Sequence, residues 1–206
     1  DGTLSATSGT IDVNGSFDAT SGALIFNGAG NLIITGTVIS LGTFTAGSSS
    51  TVTYDGGAQD VAAADYYNVV FNGSGDKTLA GNIGIAGTFT ITAGTFVPNS
   101  KTVTYNGEDQ TILALSYYGL GVSGTDRTKT FQDGITKVET EIGVTDTMTL
   151  TGSAADAVTV QVTTPGTTAS RVFNVNANGE TVNISNMTIK GGDVGASNGG
   201  SIYNGT

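Results

Sequence analysis

The chain of 206 residues contains no cysteine, no histidine and no tryptophan. Without cysteine it can form no disulfide, and without cysteine and histidine it lacks the sulfur and nitrogen ligands of zinc and iron sites. No apolar run approaches the ~20 residues that a membrane-spanning helix needs. These absences set aside a disulfide-stapled domain and a zinc or iron protein, and we expect no membrane insertion by this segment.

Charged residues are also scarce, at 12% of the chain, which is about half the share in an average soluble domain. The 17 acidic groups outnumber the 7 basic groups and give a net charge of −10. Surfaces that bind nucleic acids or anionic membranes are usually basic. We therefore expect no nucleic acid among the partners of this protein.

Glycine, in contrast, is abundant, with 32 residues, about twice the usual share. Threonine, serine, asparagine and β-branched apolar residues make up much of the rest, a composition typical of short strands joined by tight turns. A disordered chain would combine high charge with few apolar groups, and this chain has neither. The composition predicts an all-β fold without a long helix.

One segment of the sequence occurs twice. STVTYDGGAQDV (50–61) returns 51 positions later as KTVTYNGEDQTI (101–112), and GSGDKTL (73–79) returns as GTDRTKTF (124–131). Repeats of this size are typical of solenoids, and ~51 residues are too few for an immunoglobulin-like sandwich. We interpret the units, approximately 42–93 and 94–151, as two or three coils each of a right-handed parallel β-helix.

The repeats also indicate the extent of the fold. The chain starts inside a repeat and not at a signal peptide. We therefore predict that residues 1–206 form a single elongated β-solenoid and that this segment is a fragment of a longer protein.

Alternation within the repeated strands predicts which side chains face the core, because successive side chains of a strand point to opposite sides. The predicted core comprises Val52, Tyr54, Tyr67, Phe71, Phe89, Ile91, Val103, Tyr118, Leu120, Met148, Leu150, Val182 and Ile184. By the same reasoning, Tyr66 and Tyr117 face outward.

The repeat pattern of GTFTI, TVTYNG, a glutamine, a tyrosine pair and KTL resembles adhesin-like repeats of very large secreted and surface proteins of bacteria. The segment ETVNISNMTIKGGDVGASNGGSIYNGT (180–206) resembles coils of right-handed parallel β-helices of the pectate-lyase-like, polymorphic outer-membrane-protein type. The matching residues are Val182, Ile184, Met187, Ile189, Gly191, Gly192, Gly199, Gly200, Ile202, Tyr203 and Asn204. We assign such coils to residues 171–206.

The resemblance implies a structural or adhesive stalk segment of a bacterial cell-surface or secreted protein, which mediates attachment or assembly outside the cell. Its implied partners are a glycan, the surface of a host or neighbouring cell, and a second copy through end-to-end self-association. The same fold also carries lyases and hydrolases. A carbohydrate-binding or carbohydrate-active β-helix module is therefore the alternative.

Candidate catalytic residues are few. Acid–base catalysis needs paired carboxylates on one face, and the closest pair is Glu139 and Glu141 beside Lys137. We interpret this pair as a solvated strand face. Polysaccharide lyases of this fold gather aspartates with arginine or lysine, whereas Arg127 and Arg171 are far apart in the sequence. We expect that the segment is not an enzyme.

Calcium is the one cofactor that the sequence leaves open. The pattern of calcium-binding RTX repeats and the EF-hand loop are both absent. Aspartates in YDGG (54–57) and GGDVGAS (191–197) nevertheless lie in carbonyl-rich turns. These aspartates are interpreted as turn-forming residues, with a structural calcium ion as the alternative, and we expect no other cofactor.

Two kinds of outward side chain form the predicted ligand or partner surface. Tyr66 and Tyr117 could stack on a sugar ring or on a partner protein. Thr88, Thr90 and Thr92 form a regular threonine array, which on several solenoids orders water and binds ice. Threonine is also simply a good polar residue for an exposed strand. Ice binding is the second alternative function.

Overall fold

The computed structural model describes residues 2–140, 142–145, 148–152, 158–162, 173–175, 182–190 and 202–204. Within these ranges the regular structure consists of short strands that pair in parallel, and none of it is helical. The predicted all-β parallel solenoid is confirmed. The chain comprises two compact units, Asp1–Lys101 and Thr102–Thr206.

The first unit winds through five coils of three strands each, so that every third strand lies on the same face. The first face contains β1 (Thr3–Ala6), β4 (Ala23–Phe26), β7 (Thr43–Thr45), β10 (Asp65–Tyr66) and β13 (Ile83–Ile85). The second contains β2 (Thr10–Val13), β5 (Asn31–Ile34), β8 (Thr51–Tyr54), β11 (Asn68–Phe71) and β14 (Phe89–Ile91). The third contains β3 (Phe17–Asp18), β6 (Val38–Ser40), β9 (Gln59–Val61), β12 (Asp76–Leu79) and β15 (Thr95–Val97).

The coils of this unit stack in register. Thr3 pairs with Ala23, and Ala23 pairs with Thr43, which is a step of 20 residues each time. Parallel strands lie about 4.8 Å apart, so inward side chains of successive coils form continuous columns. Tight turns join the faces, and Gly73 shows why some require glycine. Its φ is 69°, and a Cβ there would lie 2.2 Å from the carbonyl oxygen of Gly56.

The second unit repeats the three-strand coil. Its first face contains β16 (Thr102–Tyr105), β19 (Gly119–Val122), β22 (Ile142–Val144), β25 (Phe173–Val175) and β28 (Ile202–Asn204). Its second contains β17 (Gln110–Ile112), β20 (Arg127–Phe131), β23 (Met148–Gly152) and β26 (Val182–Ser185). Its third contains β18 (Ser116–Tyr117), β21 (Gly134–Val138), β24 (Val158–Val162) and β27 (Thr188–Lys190).

The core consists of the inward columns. The predicted core residues that are buried are Val52, Tyr54, Phe71, Phe89, Val103, Leu120 and Leu150. Those that are only half-buried are Tyr67, Ile91, Tyr118, Val182 and Ile184, and the side chain of Met148 lies outside the described residues. Aromatic rings pack edge to face along one column, with 5.0 Å between the ring centroids of Phe71 and Phe89.

The sequence repeat and the coil have different lengths. The repeat spans eight strands, from β8 to β15, before TVTY returns as β16. A coil has three strands, so the repeat does not contain a whole number of coils. The right-handed coiling, the single continuous solenoid and its place in a longer protein stay predictions. Much of the C-terminal resemblance, including Gly191, Gly192, Gly199 and Gly200, lies outside the described residues.

Candidate functional site

A pair of buried tyrosines is the first element of the polar cluster in the first unit. The hydroxyls of Tyr54 and Tyr66 lie 2.7 Å apart. The Ala62 N–H donates to the Tyr54 hydroxyl over 3.0 Å, and the Tyr66 hydroxyl donates to the Ala62 carbonyl over 2.6 Å. Each hydroxyl has one proton, so Tyr54 is the donor to Tyr66. The two rings thereby hold the turn at Ala62 from inside the coil.

The second unit contains the matching pair. The hydroxyls of Tyr105 and Tyr117 lie 3.0 Å apart, and the Tyr117 hydroxyl donates to the Leu113 carbonyl over 3.1 Å. Burial raises the pKa of Tyr54 and of Tyr105 to about 12. These phenols therefore stay neutral near pH 7 and act as hydrogen-bonding groups.

A buried glutamine fixes the turn that follows each TVTY strand. The Gly56 N–H donates to Oε1 of Gln59 over 2.8 Å, and Nε2 of Gln59 donates to the carbonyls of Ile34 and Gly36 over 2.9 and 2.7 Å. In the second unit, the Gly107 N–H donates to Oε1 of Gln110 over 2.8 Å. The glutamine that recurs in the repeat is thus a turn cap inside the solenoid.

A buried lysine completes the cluster in the first unit. The Lys77 side chain is fully buried, and its Nζ donates to the carbonyls of Gly56, Gly57 and Ser74 over 2.9, 2.6 and 3.3 Å. Burial lowers the pKa of Lys77, and the nearby carboxylate of Asp55 opposes that effect. The carbonyl oxygens surround the ammonium as ligands surround a cation.

Lys129 takes the same place in the second unit. Its Nζ donates to the carbonyls of Gly107 and Glu108 over 2.8 and 2.9 Å, and to Oε1 of Gln110. Burial lowers the pKa of Lys129 to about 8, an effect that the charge of Asp109 opposes.

Strand register explains why these groups meet. Gln59 pairs with Lys77 across adjacent coils, and Gln110 pairs with Lys129. Lys77 and Leu79 both lie on the inward side of β12, two residues apart. Lys129 and Phe131 do the same on β20. Sequence reasoning missed both lysines, although their spacing from an apolar neighbour two residues later was a usable signal. We name each set of tyrosine pair, glutamine and lysine the internal polar cluster of its unit.

The structure corrects the prediction that Tyr66 and Tyr117 face outward. Tyr66 and Tyr117 are each only 1% exposed, whereas Tyr67 and Tyr118 are half-buried. The reason is a corner: β10 ends at Tyr66 and β11 begins at Asn68, so the alternation does not continue from one strand into the next. The predicted outward facing of Tyr66 and Tyr117 is therefore wrong, because neither presents a ring face at the surface.

The three predicted threonines do lie on the surface. Thr88, Thr90 and Thr92 are exposed on and beside β14, on the outer side of the second face. The Thr88 N–H and hydroxyl both donate to Oδ1 of Asn68 over 2.9 Å, and Asn68 donates to the Thr51 hydroxyl over 3.4 Å. A hydrogen-bonded row of threonine and asparagine thus crosses this face, and ice binding stays a prediction.

Three of the five candidate acid–base residues, Lys137, Glu139 and Arg127, belong to the described residues. Lys137 is exposed on β21, and Glu139 is exposed in the bend just after that strand. Arg127 forms an ion pair with Glu108. Glu141 and Arg171 lie outside the described residues. The candidate pair of Glu139 and Glu141 therefore lies only partly within the described residues.

The described residues contain neither a cluster of metal ligands nor a membrane-spanning helix. Among the described residues, no three histidine, cysteine, aspartate or glutamate side chains gather as metal ligands. The segment 191–197, one of the two calcium alternatives, lies outside the described residues. In the same part of the chain, no helix has the length and apolar character to cross a membrane.

Comparisons of the sequence with protein-family models, with curated proteins and with solved structures found no match.

Proposed function

We propose that the chain is a structural and adhesive stalk segment of a bacterial cell-surface or secreted protein. The observation that carries the proposal is the use of the buried reactive side chains. The ammonium groups of Lys77 and Lys129 and the hydroxyls of the tyrosine pairs are bonded to turn backbone or to one another. Groups that could serve catalysis instead hold one coil to the next.

The bonds of Lys77 show what such a cluster adds. Gly56 and Gly57 follow β8 in the third coil, and Ser74 precedes β12 in the fourth coil. One side chain therefore connects two coils at a turn. Connections of this kind resist the peeling of a coil from its neighbour, and this resistance suits a segment that transmits tension.

Stretching single molecules between their two ends tests the structural role. We expect coils to extend in steps, and we expect the Lys77→Met chain to begin extension at a lower force than the Lys137→Met chain. Lys137 is exposed, so its replacement removes a charge and no turn bond. Equal forces for the two variants would contradict the proposal.

Contact with a glycan is the second candidate function, and the exposed row on the second face favours it. Thr88, Thr90 and Thr92 present hydroxyls beside amide groups, without a lysine or arginine among them. Such groups can donate to and accept from the hydroxyls of a sugar chain. Sedimentation with insoluble polysaccharides would test the candidate, with Thr90→Arg expected to abolish binding and Thr45→Arg, on the first face, expected to preserve it.

A further inference from the structure

Asn–Gly pairs recur at the turns of this chain. The structure describes both residues of Asn14–Gly15, Asn27–Gly28, Asn72–Gly73 and Asn106–Gly107. Asparagine is a thermolabile residue, and a following glycine makes it more so, because glycine has no side chain to hinder the approach of its nitrogen to the preceding side chain. These pairs are therefore the places where the chain can modify itself.

The reaction needs only water. The backbone nitrogen of glycine attacks Cγ of asparagine and forms a C–N bond, while the Cγ–Nδ2 bond breaks and ammonia leaves with the proton of the glycine nitrogen. One water molecule then opens the resulting five-membered imide. Opening at Cγ gives aspartate, and opening at the main-chain carbonyl gives isoaspartate.

Hydrogen bonds restrain three of the four pairs. Nδ2 of Asn27 donates to the Ser5 hydroxyl over 2.9 Å, and Nδ2 of Asn72 donates to Oδ1 of Asp55 over 2.5 Å. In the pair at 106–107 the restrained group is the attacking nitrogen itself, since the Gly107 N–H donates to Gln110. Each of these bonds must break before the nitrogen and the side-chain carbon can meet.

The fourth pair is unrestrained. Asn14 and Gly15 are both exposed, and within the part of the chain that the structure describes, neither the Asn14 side chain nor the Gly15 N–H makes a hydrogen bond. A Cβ placed on Gly15 would meet no atom within 4 Å, so the turn has room to change its conformation. Among the described residues, no hydrogen bond to this pair opposes closure of the imide ring.

We propose that Asn14–Gly15 is a site of spontaneous deamidation, and that Gln110 protects the Asn106–Gly107 turn of the repeat from the same reaction. The protected turn belongs to an internal polar cluster, where Lys129 also donates to Gln110. The first repeat has Asp55 at the position of Asn106, and Asp55 precedes a glycine whose N–H is capped in the same way by Gln59.

Peptide mapping by mass spectrometry of the whole chain, incubated at mildly alkaline pH, tests the proposal without any variant. The mass change from amide to acid, with isoaspartate separated by chromatography, reports each pair. We expect Asn14 to react about fivefold faster than Asn106 or more, which is the factor that follows from breaking one net hydrogen bond. In denaturant the two pairs should react at similar rates. Equal rates in the folded chain, or faster reaction of Asn106, would overturn the proposal.

Two variants test the part played by Gln110. Gln110→Ala should accelerate reaction at Asn106 and leave Asn14 unchanged, whereas Gln132→Ala should change neither rate. Gln132 is an exposed glutamine whose Oε1 accepts the Ala114 N–H over 3.3 Å. If Gln110→Ala unfolds the second unit, Gln110→Glu keeps an acceptor for Gly107 and should keep the slow rate. An unchanged rate at Asn106 in folded Gln110→Ala would show that the cap gives no protection.

Discussion

Lys77 and Gly56 lie in adjacent coils of the first unit, and the lysine ammonium donates to the glycine carbonyl over 2.9 Å. The lysine comes from the third face of the fourth coil, and the glycine lies in the turn after β8 in the third coil. Burial lowers the pKa of Lys77, because an ammonium charge is less favourable away from water. The carbonyl bonds must therefore offset that burial for the charge to remain inside.

Replacement of Lys77 by methionine should destabilise the chain by about 2–3 kcal/mol, because three turn carbonyl oxygens, that of Gly56 among them buried, lose a charged donor. The relief of a buried charge offsets part of this loss, which keeps the expected value below the sum of three bonds. Urea unfolding would measure it, with Lys137→Met as the control at an exposed position and an expected change within about 0.5 kcal/mol. Equal unfolding midpoints for the two variants would show that the Lys77 bonds contribute nothing.

Tyr54→Phe should cost about 1–3 kcal/mol of unfolding free energy, because the Ala62 N–H loses its acceptor and the Tyr66 hydroxyl loses a donor. Tyr67→Phe, the matched control on a half-buried side chain, should change the unfolding free energy by less than about 0.5 kcal/mol. The larger loss is expected at Tyr54 because its hydroxyl is buried beside Tyr66, whereas Tyr67 is only half-buried. A larger loss at Tyr67 would restore the original facing prediction.

The buried phenols make the chain sensitive to alkali. Burial raises the pKa of Tyr54 and Tyr105 from 10.0 to about 12, and raises the pKa of Tyr66 and Tyr117 well above 10.0. Above pH 10 the unfolded chain releases these protons and the folded chain keeps them, so the unfolding free energy falls as pH rises from 10 to 12. Denaturant titrations across this range would measure the fall, and a Tyr54→Phe, Tyr105→Phe chain should show a shallower one. A flat profile would contradict the burial of the phenols.

Lys129 acts in the opposite direction at lower pH. Its pKa is lowered from 10.5 to about 8, so between these values the unfolded chain holds a proton that the folded chain has released. The unfolding free energy should therefore rise as pH increases from about 8 towards 10.5. The same titrations on Lys129→Met should lack this rise. Persistence of the rise in the variant would assign it to another group.

Thr136 offers a stabilising replacement. Its side chain is fully buried on the inward side of β21, and its hydroxyl has no hydrogen-bond partner among the residues that the structure describes. Thr136→Val keeps the shape and removes the unsatisfied hydroxyl, so it should raise the unfolding free energy by about 1 kcal/mol. Thr130→Val, on a half-buried position of β20, is the control and should have little effect. Thermal unfolding compares the two, and destabilisation by Thr136→Val would mean that the hydroxyl has a partner in solution.

Sequence alternation predicted side-chain facing well inside single strands. Phe89 is buried and Thr90 is exposed, as predicted, because both lie in β14 and the period of two is a property of the extended backbone. Prediction failed at Tyr66 and Tyr67 because the chain turns a corner between them. The corner depends on how the coil closes, and the local alternation has no information about that closure.

The lysines were missed for a different reason. A charged side chain is ordinarily placed outside, because its burial is unfavourable without partners. The partners of Lys129 are backbone carbonyls of a turn that precedes it by about one coil, together with Gln110. Every residue has a backbone oxygen, so the residue types in a sequence do not indicate which of these oxygens will bind a lysine. Only the stacking of the coils reveals that they converge.

The mismatch between eight strands in the repeat and three strands in the coil has a consequence for how such chains lengthen. If a duplicated segment does not contain a whole number of coils, its strands lie on different faces of the coil after the duplication. We infer that such a duplication requires strands that tolerate a new position in the coil. The sequence TVTY is an example, because it forms β8 and, eight strands later, β16. A duplicated segment must then contain whole strands, but it need not contain a whole number of coils.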